Sequence, residues 1–239
     1  MSLVRRVLLG PRVTGLLFDA GDVLYDATPG RRRLLRVLGQ LGLHAQYAYF
    51  FRIWERNFLQ DVYCGRRTYL EAFRAMLTSF GFSEPQIDEV AAATNVMRRT
   101  LEEPQRLLPG VRETLGRREL AGLSLGVLTN TTLPSVDLER QLAMLGLAGR
   151  FRWIFSSVDM GIALPRREAY TAAVEAMGLT PDQVAFVGHD SGELAGAAKA
   201  GLTTIAIHHE LGADANVYLE NFHQLASIID DRQPARVAG

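Results

Sequence analysis

The stretch LLFDAGDVLYD, Leu16 to Asp26, leads an apolar run into Asp19 and places Asp22 three residues later, with Gly21 between them. A carboxylate at the exit of a buried strand is suited to act as a nucleophile or to hold a metal ion. His208, His209 and Glu210 in IAIHHELG also look like metal ligands. Adjacent residues on a strand point to opposite faces, however, so these two histidines do not share one ion. Cys64 is the single cysteine, which rules out a disulfide framework or a thiolate zinc site within the chain. Arg31, Arg32, Arg33 and Arg36 read as a solvated helix face, or as a cradle for an anionic ligand if that face turns toward Asp19.

The elements that must position these groups follow from periodicity. Short apolar runs bounded by turn residues predict strands at Thr14–Phe18, Ser124–Leu128, Trp153–Phe155, Val184–Val187 and Thr203–Ile207. Helical spacing predicts helices at Val111–Leu120, Val136–Leu145, Arg167–Met177 and Leu194–Ala200, with Gly122, Gly146, Gly178 and Gly201 at their ends. Strands alternating with helices imply a parallel sheet covered on both faces, an α/β Rossmann-like core. Residues 27–108 break the rhythm and read as helical throughout, with Thr28–Pro29 and Ser83–Pro85 opening helices and Phe50, Phe51, Trp54 and Phe58 forming an aromatic core stripe. The expected organisation is a core of residues 1–26 and 109–239 interrupted by an α-helical cap, 27–108. Ligands of open parallel sheets bind beyond the carboxyl ends of the strands, which is where Asp19 lies.

With 239 residues and 48% apolar side chains, the chain is long enough for this arrangement. Positive and negative residues balance at 26 each, which removes the electrostatic argument for nucleic acid as a partner. No apolar run approaches the roughly 20 residues of a membrane span, and the start MSLVRRVLLGPRVTG is too short in its apolar part for a secretory signal. A soluble, cytoplasmic protein acting on a small molecule is expected, with no membrane or nucleic-acid partner. Oligomeric state is not legible.

Four segments taken together resemble the ordered motifs of the haloacid dehalogenase superfamily: FDAGDVLYD, LGVLTNTT, DMGIALPRREAYTAAVEAMGL and VAFVGHDSGELAGAAKAGL. The position of the helical insertion is similar to that of the subgroup containing phosphoglycolate phosphatases and haloacid dehalogenases. The resemblance implies that Asp19 is a nucleophile forming an aspartyl ester, that the hydroxyl of Thr129 binds the transferring group with Asn130 beside it, and that a magnesium ion is held by Asp19, the backbone carbonyl of Gly21, and Asp190 or Glu193. It implies equally what this chain lacks. The general acid position is Gly21, the lysine position is Leu164, and the motif-four aspartate position is His189, with Arg166 or Arg167 the guanidinium that could reach round for a substituted substrate contact.

A general acid is worth roughly 10² to 10⁴ in rate, and a preorganised charge or donor a further few kcal/mol, about 3. Imidazole is a poor ligand for magnesium. The reading is therefore a hydrolase using Asp19 on a small anionic, phosphorylated metabolite, with Mg²⁺ weakly held and phosphatase activity weak or altered. The alternatives are a catalytically degenerate member that binds a ligand or partner, and a metal-independent 2-haloacid dehalogenase; the loss of lysine at Leu164 counts against the last.

Overall fold

A computed structural model of the chain describes residues 9, 12–40, 42–99, 105–117, 120 and 122–229. Most of the N-terminal stretch read for a signal, part of the helix expected at Val111–Leu120, and part of the expected end of the cap lie outside the described residues. Six parallel strands form one sheet: β1 (Gly15–Phe18), β2 (Ser124–Thr129), β3 (Trp153–Ser156), β4 (Val184–Gly188), β5 (Thr203–Ile207) and β6 (Val217–Leu219), in the order β3-β2-β1-β4-β5-β6. Phe18 is in register with Val127 on one side and Val187 on the other, so β1 is central. Every side chain of β1 and β4 is buried, as a sheet covered on both faces demands. One face packs a cluster containing Phe18, Val127, Val187 and Phe222, and the other packs Leu17, Leu128, Tyr170 and Phe186.

Between β1 and β2 come α1 (Thr28–Gln40), α2 (Tyr47–Ile53), a π-helical turn (Trp54–Leu59), α3 (Gln60–Tyr63), α4 (Tyr69–Ser79), α5 (Glu84–Arg99) and α6 (Val111–Leu115). The first five helices have a hydrophobic cluster of their own, containing Leu38, Phe50, Phe51, Trp54, Phe73 and Met76, so the aromatic stripe is core. Thr68 opens α4 with a reciprocal capping box to Glu71, and Ser83 ties to Gln86 at the head of α5.

The remaining helices are α7 (Ser135–Leu142), continued by a π-helical turn (Ala143–Leu147), α8 (Ser157–Met160), α9 (Arg167–Ala176), α10 (Ser191–Lys199) and α11 (His223–Ile229). Gly146, Gly178 and Gly201 have φ of 83°, 71° and 92°, the left-handed conformation expected where helices stop. Thr180 and Gln183 form a capping box at the head of a 3₁₀ turn, Pro181–Gln183. β6 and α11 complete the sheet edge and have no counterpart in the sequence reading. Helix α10 begins three residues before the expected Leu194, because Asp190 caps it.

Candidate active site

Asp19 follows β1, fixed by its N–H donating to Val187 O at 2.9 Å, and is only 5% exposed. Its Oδ1 accepts from Ala20 N at 2.8 Å and from the Thr129 hydroxyl at 2.6 Å. Thr129 is the last residue of β2, so two neighbouring strand ends deliver the acid and the hydroxyl to each other without any loop excursion. Oδ2 of Asp19 is the oxygen left for other work. It lies 3.2 Å from Nδ1 of His189, the first residue after β4. The ring nitrogen is not aligned for a hydrogen bond with that oxygen, so the contact is one of charge. Burial opposes a charge on His189, but Asp19, Asp22 and Asp190 outweigh it and hold the imidazole above its ordinary pKa.

Asp22 has φ 57°, the left-handed region that glycine adopts freely and aspartate tolerates. Its Oδ1 accepts from Ala27 N at 3.0 Å, and its Oδ2 pairs with Arg31 of α1. Arg31 reaches on to Glu55 of the π-helical turn at 3.5 Å, and His189 Nε2 lies 3.9 Å from Asp22. A chain of charges therefore runs from Asp19 through His189, Asp22 and Arg31 to Glu55 in the helical module. Arg31 keeps its charge against burial because Asp22 and Glu55 flank it.

Asn130 is placed differently from the expected ligand-binding role. Its Oδ1 accepts from Leu164 N at 2.8 Å, and its Nδ2 donates to Leu164 O and to Glu193 Oε1, both at 3.0 Å. Both amide hydrogens are committed, so Asn130 clamps the third motif rather than facing a ligand. Leu164 itself is 1% exposed and packs with Tyr170 and Phe186, far from the behaviour of a charged side chain. The peptide bond to Pro165 is cis, and Pro165 O passes so close to Gly196 that a Cβ there would stand 2.5 Å from it. Arg166 is not brought to Asp19: its side chain is 59% exposed and Nε sits 3.6 Å from Glu168.

The motif-four acids are likewise occupied. Asp190 Oδ1 accepts from Glu193 N at 2.8 Å as the cap of α10. Glu193 is 9% exposed, with Oε2 buried and without a hydrogen-bond partner. Burial first, and then Asp19 and Asp190, push its pKa well above the ordinary carboxylate value. As placed, this donor set does not fit magnesium: an imidazole faces the free oxygen of Asp19, one acid is a helix cap, and another is buried and tied to Asn130. Among the described residues no three His, Cys, Asp or Glu side chains gather at metal-binding spacing. His208 and His209 are exposed beyond β5 and join none of these groups.

A central parallel strand ending in Asp19 and a neighbouring strand ending in a hydroxyl bonded to it define the class: a parallel α/β protein with a buried carboxylate at its strand ends. The chain matches the sequence profile of haloacid dehalogenase-like hydrolases over residues 13–201 and belongs to that family. It is 25% identical over 236 residues to a phosphoglycolate phosphatase of Salmonella paratyphi A, covering 93% of this chain and 92% of that protein. In fold it is similar to a predicted phosphoglycolate phosphatase of Haemophilus somnus (TM-score 0.70, 18% identity, 91% of this chain and 98% of the other). It is similar also to a 2-haloacid dehalogenase of Pseudomonas syringae (TM-score 0.62, 21% identity, 91% and 98%).

Sequence reasoning missed Arg31 as the partner of Asp22, and it missed Glu55 and Tyr63 altogether. Tyr63 is half-buried, and desolvation, then Glu55, raises its pKa, with Glu193 and Asp19 adding to the same effect. The only signal for Glu55 in the sequence is an acid set among aromatic core residues in FFRIWERNF.

Proposed function

We propose that the protein hydrolyses a small anionic, phosphorylated metabolite through attack by Asp19, with magnesium-dependent phosphatase activity weak or altered. One observation carries this reading: the 2.6 Å bond from Thr129 to Asp19 Oδ1 in a buried site at the strand ends, which leaves Oδ2 as the attacking oxygen. Thr129 and Ala20 N–H hold the carboxylate in one orientation, and such positioning supplies part of the rate before any bond changes. His189, its pKa held above the ordinary imidazole value, stands 3.2 Å from Asp19 Oδ2, where negative charge collects on the transferring group. The relative named phosphoglycolate phosphatase supports a small phosphate ester as the substrate class. In this reading residues 27–108 act as a cap over the core of 1–26 and 109–239, and the protein works in the cytoplasm.

A second reading, a degenerate member that binds a ligand without turning it over, is favoured by one observation. Leu164 is fully buried where the family places its lysine, so no ammonium reaches the site. A panel of sugar and hydroxyacid phosphates, assayed with and without magnesium, separates the two. Turnover by the natural protein that is lost in Asp19→Asn supports the hydrolase; turnover only in a Gly21→Asp, Leu164→Lys, His189→Asp variant supports the degenerate member. Gly21 admits the first change, since an added Cβ meets only Ala27 Cβ at 3.7 Å.

A further inference from the structure

The absence of a side chain at Gly21 leaves the leaving group without a proton donor on the core side. In an in-line displacement the attacking and leaving oxygens lie on opposite faces of the phosphorus. With Asp19 attacking from the strand ends, the leaving oxygen departs toward the helical module. A donor carried by that module is therefore better placed for the leaving oxygen than one carried by the core.

Glu55 meets these conditions. It sits on the π-helical turn Trp54–Leu59, a feature that recurs at functional sites because it redirects side chains out of the regular helical register. Its neighbour Trp54 is buried in the module's core, which anchors the turn, while the Glu55 side chain stays partly exposed. Oε1 lies 3.5 Å from Arg31, which is itself paired with Asp22 beside the nucleophile loop, and Oε2 has no hydrogen-bond partner among the described residues. The groups facing Glu55 are Arg31 from α1, Asp22 from the loop after β1, His189 and Asp190 from the loop after β4, and Tyr63 from α3. All belong to the surroundings of Asp19.

From this geometry we infer that Glu55 is a catalytic general acid, donating its proton to the leaving oxygen in place of the side chain missing at Gly21. In the first half-reaction the bond from Asp19 Oδ2 to phosphorus forms, the bond from phosphorus to the ester oxygen breaks, and the Glu55 proton passes to that oxygen to give the free alcohol. In the second, water attacks phosphorus, its proton goes to Glu55, and the Asp19 carboxylate is released with inorganic phosphate. Both residues end as they began. Burial raises the Glu55 pKa despite the opposing charge of Arg31, and 40% of the side chain stays exposed.

The inference rests on the hydrolase reading, and its test keeps the two apart. The first turnover is followed with the alkyl phosphate that the natural protein hydrolyses fastest in the panel and with p-nitrophenyl phosphate, whose leaving group needs no proton. Glu55→Gln is expected to slow alcohol release about 10² to 10⁴-fold and nitrophenol release by less than about tenfold. The alkyl rate of the natural protein is expected to fall as pH rises through the Glu55 pKa. Gly21→Asp in the Glu55→Gln background is expected to recover part of the alkyl rate. Equal slowing of both esters would show that Glu55 only positions Arg31, and an unchanged alkyl rate would show no role; each overturns the inference while an inactive Asp19→Asn leaves the hydrolase reading intact. An Asp19→Asn protein as active as the natural one, or no turnover of any ester, overturns both.

Discussion

Nδ1 of His189 lies 3.2 Å from Oδ2 of Asp19, so the one oxygen of the buried carboxylate that Thr129 and Ala20 leave free faces an imidazole. That relationship decides the electrostatics of the site. The strand ends bring together Asp19, Asp22, Asp190 and Glu193, with His189 and Arg31 as the basic groups beside them.

The His189 contact predicts a pH signature. The folded-state pKa is raised above the ordinary 6.5, so the stabilisation is complete below that value and is lost as pH rises through the folded pKa. Urea unfolding across this range is expected to show a stability decline on the alkaline side that His189→Gln removes. An imidazole proton titrating at or below the ordinary value would contradict the prediction.

Magnesium affinity follows from the same pair. The natural chain is expected to bind the ion weakly by calorimetry, and His189→Asp, which replaces an imidazole with a hard carboxylate oxygen, is expected to bind it at least tenfold more tightly, about 1.4 kcal/mol. Equal affinity in the two proteins would mean that His189 does not govern the site.

Asn130→Ala removes three hydrogen bonds at once and leaves the Leu164 N–H and C=O unpartnered. The expected loss is about 2 to 4 kcal/mol in chemical denaturation. A loss below about 0.5 kcal/mol would mean that water replaces the clamp.

Gly196→Ala is expected to destabilise by about 1 to 3 kcal/mol, because the new methyl group would meet the Pro165 carbonyl at 2.5 Å with no flexible side chain to give way. The same substitution displaces Leu164, so turnover is expected to fall with stability; a neutral change in the unfolding midpoint would refute the close approach.

Thr129→Val keeps the shape of the side chain and removes its donor. The hydroxyl bond to a carboxylate is worth about 1.5 to 3 kcal/mol, so the rate is expected to drop about 10 to 10²-fold through loss of Asp19 orientation. Thr129→Ser, which keeps the hydroxyl, is expected to retain most of the rate.

The sheet and its strand ends were legible because β1 and β4 are buried on both faces and so appear as unbroken apolar runs ending at Asp19 and His189. β6 was not, being three residues long with an exposed Tyr218 at its centre. The clamp of Asn130 depends on main-chain atoms of a residue 34 positions away, which no local pattern announces. Glu55 was hidden for a different reason: regular helical spacing does not foresee the π-helical turn that carries it. Arg31 was visible only as one of several arginines on a helix, and the pairing with Asp22 and Glu55 singles it out.

The central claim is that Asp19 forms a covalent bond to the phosphoryl group. The direct measurement is mass spectrometry of the protein quenched in acid during turnover of its best phosphate ester, with the modified peptide sequenced. A phosphoryl adduct on Asp19, absent from Asp19→Asn, is the predicted result; turnover with no adduct on Asp19, or an adduct on another residue, would contradict the account.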